Sequence, residues 1–168
     1  MQLTHYDSNF KQQKFPIIIV CDNITNAPNI GSLFRIADAF GVEKIIFCGS
    51  NIPMGRKMTK TSRATENYVS YELKDSALSE VKLLIKKGYQ IIALEITDDS
   101  NPIHKHNFSF SKPIVLLVGD ENFGVSNSIL ELSNTIIHIE MFGKNSSMNV
   151  VQAANIALYE ITKQLNGV

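Results

Sequence analysis

Ile114-Val115-Leu116-Leu117-Val118-Gly119-Asp120-Glu121-Asn122-Phe123-Gly124 is the stretch on which the fold turns. Five apolar residues run without a polar break from Pro113 to Gly119. A strand with no polar alternation is buried on both faces, and such strands belong to parallel sheets covered by helices on each side. Working outward, Ile17-Ile18-Ile19-Val20-Cys21, Ile45-Ile46-Phe47-Cys48, Gln90-Ile91-Ile92-Ala93-Leu94-Glu95 and Thr135-Ile136-Ile137-His138-Ile139 read the same way, with Tyr68-Val69-Ser70-Tyr71-Glu72 as a weaker candidate. Between them lie stripes of helical period: Ile30, Leu33, Phe34, Ala37 and Phe40, closed by Gly41; Ala77, Leu78, Val81, Leu84 and Ile85, closed by Gly88; and Val150, Ala153, Ala154, Ala157, Leu158, Ile161 and Leu165. The alternation predicts an α/β fold with a mostly parallel sheet and helices on both faces.

The 168 residues suit one domain, 1–168, with 1–15 as an N-terminal polar segment. No apolar run approaches the roughly 20 residues of a membrane span, and Met1–Lys14 lacks the apolar stretch of a signal peptide, so a cytoplasmic location with no membrane partner is expected. Cys21 and Cys48 sit inside apolar runs and read as reduced core thiols. Sixteen basic and 16 acidic residues cancel, so composition alone does not point to nucleic acid. Arg56, Lys57, Lys60 and Arg63 nevertheless form a local basic patch with no acid before Glu66, in the longest stretch without clear periodicity, Ser50–Asn67. Such a patch either is solvated or holds phosphate.

Ligands of open parallel sheets gather at the carboxyl ends of the strands. Three segments there combine glycine, amides and charge. In Asn29-Ile30-Gly31-Ser32-Leu33-Phe34-Arg35-Ile36-Ala37, Arg35 falls opposite the apolar stripe, Asn29 can cap the helix and Gly31 can make a tight turn. In Val118–Gly124, Gly119 lets a backbone approach a ligand closely, Glu121 is a loop acid or a helix-capping one, and Ser126 can cap a short helix. In Ile139-Glu140-Met141-Phe142-Gly143-Lys144-Asn145-Ser146-Ser147-Met148-Asn149-Val150, a donor-rich loop precedes the last helix, and Met141 and Met148 either fill the core or pack on an adenine face. His104-x-His106 has no third ligand nearby, so no metal is expected. The Gly119–Gly124 segment is neither a phosphate loop of the Walker type nor a GxGxxG fingerprint.

In this order, the three segments resemble the motifs of the SpoU (TrmH-like) RNA ribose methyltransferases of the SPOUT superfamily, over roughly residues 17–165. The resemblance implies a C-terminal deep trefoil knot, here about 90–160, that binds S-adenosylmethionine, and a homodimer that methylates a ribose 2′-hydroxyl of RNA. It assigns Leu94, Glu95, Gly119, Glu121, Ile139, Met141, Ser147, Met148 and Asn149 to the cofactor. Arg35, Asn29, Glu121, Ser147 and Asn149 are assigned to substrate or catalysis, with Arg35 acting in a site shared with the partner subunit. Arg56, Lys57, Lys60 and Arg63, with Arg35, are expected to contact RNA. Small tRNA-type members of the family are built at this length, which favours tRNA over rRNA. The family assigns the role of base to Arg35, but a guanidinium is a poor proton acceptor; clamping a phosphate and stabilising a developing alkoxide is chemically easier. Three positions depart from the family pattern: Glu140 stands for a Pro, Asp120 for Asn or Pro, and Val151-Gln152 for a pair that carries Ser. None of them touches Asn29, Arg35, Glu121 or Asn149. The alternative from another class is a knotted RNA-binding protein without catalysis.

Overall fold

The computed structural model describes residues 10–167, so most of the expected N-terminal polar segment lies outside the described residues. Seven strands form one sheet: β1 (Phe15–Asp22), β2 (Val42–Cys48), β3 (Ser70–Lys74), β4 (Gln90–Leu94), β5 (Asn101–Pro102), β6 (Ile114–Val118) and β7 (Thr135–His138). Their order is β3-β2-β1-β6-β4-β7-β5, and every pairing between them is parallel. The helices are α1 (Ala27–Ala39), α2 (Arg56–Ser62), α3 (Ala77–Lys86), α4 (Asn127–Leu130) and α5 (Val150–Leu165).

The unbroken apolar runs have the cause inferred for them. Along β1, Ile17, Ile19 and Cys21 enter a core shared with α1 and α5, while Ile18 and Val20 enter a second core shared with α3 and α4. Both faces of the strand are therefore dry, and alternating side chains feed opposite layers. Cys21 and Cys48 are free and buried. Burial lifts the Cys21 thiol well above its usual range, and burial with the nearby Glu80 and Asp22 carboxylates pushes Cys48 up to about 12. Among the described residues no helix is long and apolar enough to cross a membrane.

Three local expectations are corrected. The stretch Ser50–Asn67 is not an irregular loop. It holds α2 and a 3-10 turn at Thr65–Asn67, joined by Arg63 and Ala64, both left-handed at φ 52° and 69°. Helix α1 begins at Ala27, earlier than Asn29, and its cap is Asn26, whose side chain accepts from Asn29 N at 3.1 Å. Gly31 makes no turn: it lies within α1, where a Cβ would run into Met58 O and sit 2.8 Å from Ser62 N, so its absence lets α2 pack against α1. The two-residue edge strand β5 was not foreseen; Pro102 is tolerated there because an edge strand leaves one row of N–H groups unpaired.

Candidate active site

Strands β6, β4 and β7 are neighbours in the sheet, so their carboxyl ends stand side by side. The residues just past them, with the N-terminus of α5, enclose a cavity of about 730 Å³. Leu94, Glu95, Gly119, Glu121, Ile139, Met141, Ser147, Met148 and Asn149 all line it. Leu94, Ile139, Met141 and Met148 contribute half-buried apolar surface, and the 119–125 loop contributes polar groups.

One residue from each motif segment meets in a hydrogen-bonded row. Asn149 is the N-cap of α5, and its Oδ1 accepts from Val151 N at 2.9 Å and Gln152 N at 3.4 Å. This turns Nδ2 outward, where it donates to Asn29 Oδ1 at 3.1 Å. Asn29 Nδ2 in turn donates to Glu121 Oε1. The direction of the row is fixed at both ends, by helix N–H groups that only donate and by a carboxylate that only accepts. Asp22, at the end of β1, is raised by burial and by the nearby Asp120 carboxylate, against a hydrogen bond from the Ser126 backbone that lowers it.

Two cofactor-assigned residues do structural work. Gly119 does not leave room for a ligand. A Cβ there would strike Gly124 and Val125, so the space is filled by the chain's own loop. Glu95 directs Oε2 to Val125 N at 3.0 Å and Oε1 to Ile96 N at 2.9 Å, bracing that loop from β4. Asp120 shapes the same loop, its Oδ1 accepting from Asn122 N at 2.8 Å and Phe123 N at 3.0 Å. Ser126 stands at the N-cap of α4, but its side chain makes no cap hydrogen bond. Glu140, in place of the family's Pro, reaches His104, with Oε2 3.4 Å from Nε2.

Arg35 is exposed on α1, lines no part of the cavity and has no ion pair among the described residues. Arg56, Lys57, Lys60 and Arg63 are exposed on α2 and its cap, likewise without an acidic partner among the described residues, and Glu66 accepts a hydrogen bond from Ser62 Oγ. The cavity also holds Thr97 and His138, which lie outside the three motif segments. Thr97 and His138 lie at or just past strand ends, so the carboxyl-end rule applied to every strand finds them.

Residues 16–159 match the SpoU rRNA Methylase family. The chain belongs to this family. A tRNA (guanosine(18)-2′-O)-methyltransferase from Aquifex aeolicus is 30% identical over 154 residues, which cover 92% of this chain and 72% of that one. The crystal structure of the A. aeolicus TrmH/SpoU tRNA modifying enzyme superposes with a TM-score of 0.82 at 29% identity, covering 94% of this chain and 78% of that one. The SpoU methyltransferase AviRb from Streptomyces viridochromogenes, solved with AdoMet, shares the fold with a TM-score of 0.79 at 24% identity, covering 94% of this chain and 63% of that one. Residues of the 118–124 and 139–150 segments line the cavity, and Asn29 of the first segment is hydrogen-bonded to one residue of each.

Proposed function

We propose that this chain transfers a methyl group from S-adenosylmethionine to a ribose 2′-hydroxyl of RNA, with tRNA favoured over rRNA. The observation that carries the reading is the row Asn149–Asn29–Glu121. Three segments far apart in sequence join their polar residues in one row, and two of these, Glu121 and Asn149, line the cavity. The cavity suits the cofactor: half-buried Leu94, Ile139, Met141 and Met148 offer apolar contact for a purine, and the hydroxyl of Thr97 stands buried in the wall without a partner. Leu94, Ile139, Met141, Ser147 and Met148 would hold the cofactor, and Glu95 and Gly119 would keep the 119–125 loop in shape around it. The relative from A. aeolicus supports tRNA as the substrate class.

S-adenosylmethionine, when bound, supplies an electrophilic methyl on a cationic sulfur. The protein must then hold the acceptor hydroxyl in line and accommodate the negative charge that grows on its oxygen. Asn29 and Asn149 lie in the row that ends on Glu121, and this fixed set of amides and carboxylate orients the ribose. Arg35 clamps the neighbouring phosphate through its forked donors and stabilises the developing alkoxide, leaving a phosphate oxygen to receive the proton. Arg56, Lys57, Lys60 and Arg63 extend this cationic surface along the RNA backbone.

Arg35 acts in a site completed by a second copy of the chain. Its exposure away from the cavity supports a homodimer, as do the exposed Ile156 and Tyr159 on α5. The strand order supports a deep trefoil knot over about 90–160, since β6 inserts between β1 and β4 and β7 between β4 and β5. Gln164 of α5 supports it too, bound to Phe108 N and His106 O of the segment linking β5 to β6, each at 3.0 Å. The enzyme would work in the cytoplasm, where tRNA and S-adenosylmethionine occur together.

Arg35→Ala tests the assignment. Calorimetry is expected to give wild-type affinity for S-adenosylmethionine, while methyl transfer to tRNA falls by at least about a hundredfold, the scale of one lost charge-stabilising group. Undiminished transfer by Arg35→Ala would remove Arg35 from the reaction.

A further inference from the structure

Thr97 Oγ1 is the one side-chain nitrogen or oxygen among the described residues that is fully buried and has no hydrogen-bond partner. Thr97 lines the cavity three residues past the end of β4. Its position is held by its neighbour. Ser100 Oγ accepts from Thr97 N at 3.0 Å and donates to Thr97 O at 2.7 Å. Ser100 Oγ also lies 2.9 Å from His138 Nδ1. His138 also lines the cavity.

Burying a hydroxyl without a partner is unfavourable, and a valine would fill the same space without that loss. The hydroxyl is accounted for if its partner arrives with the ligand. We propose that Thr97 is a binding residue for the nucleoside half of S-adenosylmethionine, its Oγ1 hydrogen-bonding a neutral hydroxyl or amino group of the adenosine, with His138 on the same wall. This rests on the reading given under Proposed function. The wall of Thr97, Ser100 and His138 is built of hydroxyls and an imidazole, and Glu95 beside it already serves the amides of Val125 and Ile96. Such a wall suits a neutral partner, whereas the charged amino-acid end of the cofactor suits Asp120, Glu121, Asn122 and Asn127.

The test measures binding and stability apart from turnover. Wild type, Thr97→Val and Thr97→Ser are titrated calorimetrically with S-adenosylhomocysteine and with 5′-methylthioadenosine, which lacks the amino-acid end, and each is melted without ligand. Thr97→Val is expected to bind both ligands about tenfold more weakly, the scale of one hydrogen bond to the ligand. Its ligand-free melting midpoint stays equal to or above that of wild type, and Thr97→Ser, which keeps the hydroxyl, stays close to wild type in affinity. Equal binding by Thr97→Val and wild type overturns the proposal and leaves the methyltransferase reading intact. A loss confined to S-adenosylhomocysteine overturns the assignment to the nucleoside. Wild type that binds neither ligand overturns the cofactor reading, and this proposal with it.

Discussion

Asn149 does two things with one side chain. Its oxygen caps α5, and its nitrogen starts the row through Asn29 to Glu121. The two roles separate by substitution. Alanine removes both and costs about 1 kcal/mol of capping, whereas serine is as good a cap but cannot donate an amide proton to Asn29. Asn149→Ser is therefore expected to melt within about 0.5 kcal/mol of wild type and to transfer methyl roughly tenfold to a hundredfold more slowly, the effect of a loosened acceptor geometry. Stability and transfer lost together would mean that the residue serves the helix alone. At this scale the members of the row are legible as candidates: Asn29, Glu121 and Asn149 stand out by residue type at strand and helix ends. What no local pattern contains is that they bond to one another across separations of 92 and 120 positions. Thr97 was not legible, because a lone threonine past a strand carries no signal until its burial is known.

Strands and long helices follow from periodicity, because burial against a layer imposes a regular spacing of apolar side chains. Helix α2 escaped for the same reason. It buries only Met58 and Ser62, too little for a stripe, and it is held by close backbone approach to α1 at Gly31. A glycine inside a helix reads as a turn or a weak point, and only the second helix shows why it is there. Gly31→Ala puts two effects in opposition. Helix propensity favours alanine by about 1 kcal/mol. Against this, a Cβ would sit 2.8 Å from both Ser62 N and Thr61 Cβ and would run into Met58 O. Backbone on the far side cannot yield as a side chain can, so overpacking wins by about 1–2 kcal/mol, and the melting midpoint should drop by roughly 2–8 °C. RNA affinity should fall further than cofactor affinity, since α2 carries Arg56, Lys57 and Lys60. A raised midpoint would show that α2 is free to move away.

For the whole molecule, composition and pattern reach the layer arrangement and stop short of the connectivity. Five apolar runs and three stripes specify a covered parallel sheet, but many strand orders satisfy them equally. The order β3-β2-β1-β6-β4-β7-β5 is what brings the ends of β4, β6 and β7 together and makes the cavity. That Asn29, Glu121 and Asn149 lie together is suggested in the sequence only by the resemblance to SpoU enzymes, since nothing in the local chemistry of Asn29 points to Asn149. Net charge misleads at this scale as well: the total is zero, yet α2 presents cations with no acidic partner among the described residues. The central claim is that this cavity serves transfer of a methyl group to a ribose. The most direct test incubates the purified protein with tritium-labelled S-adenosylmethionine and total tRNA from a strain lacking the gene, followed by nuclease digestion and mass spectrometry of the nucleosides. The account predicts label in a single 2′-O-methylated nucleoside; label on a base, or none in tRNA or rRNA from a protein that binds the cofactor, would contradict it.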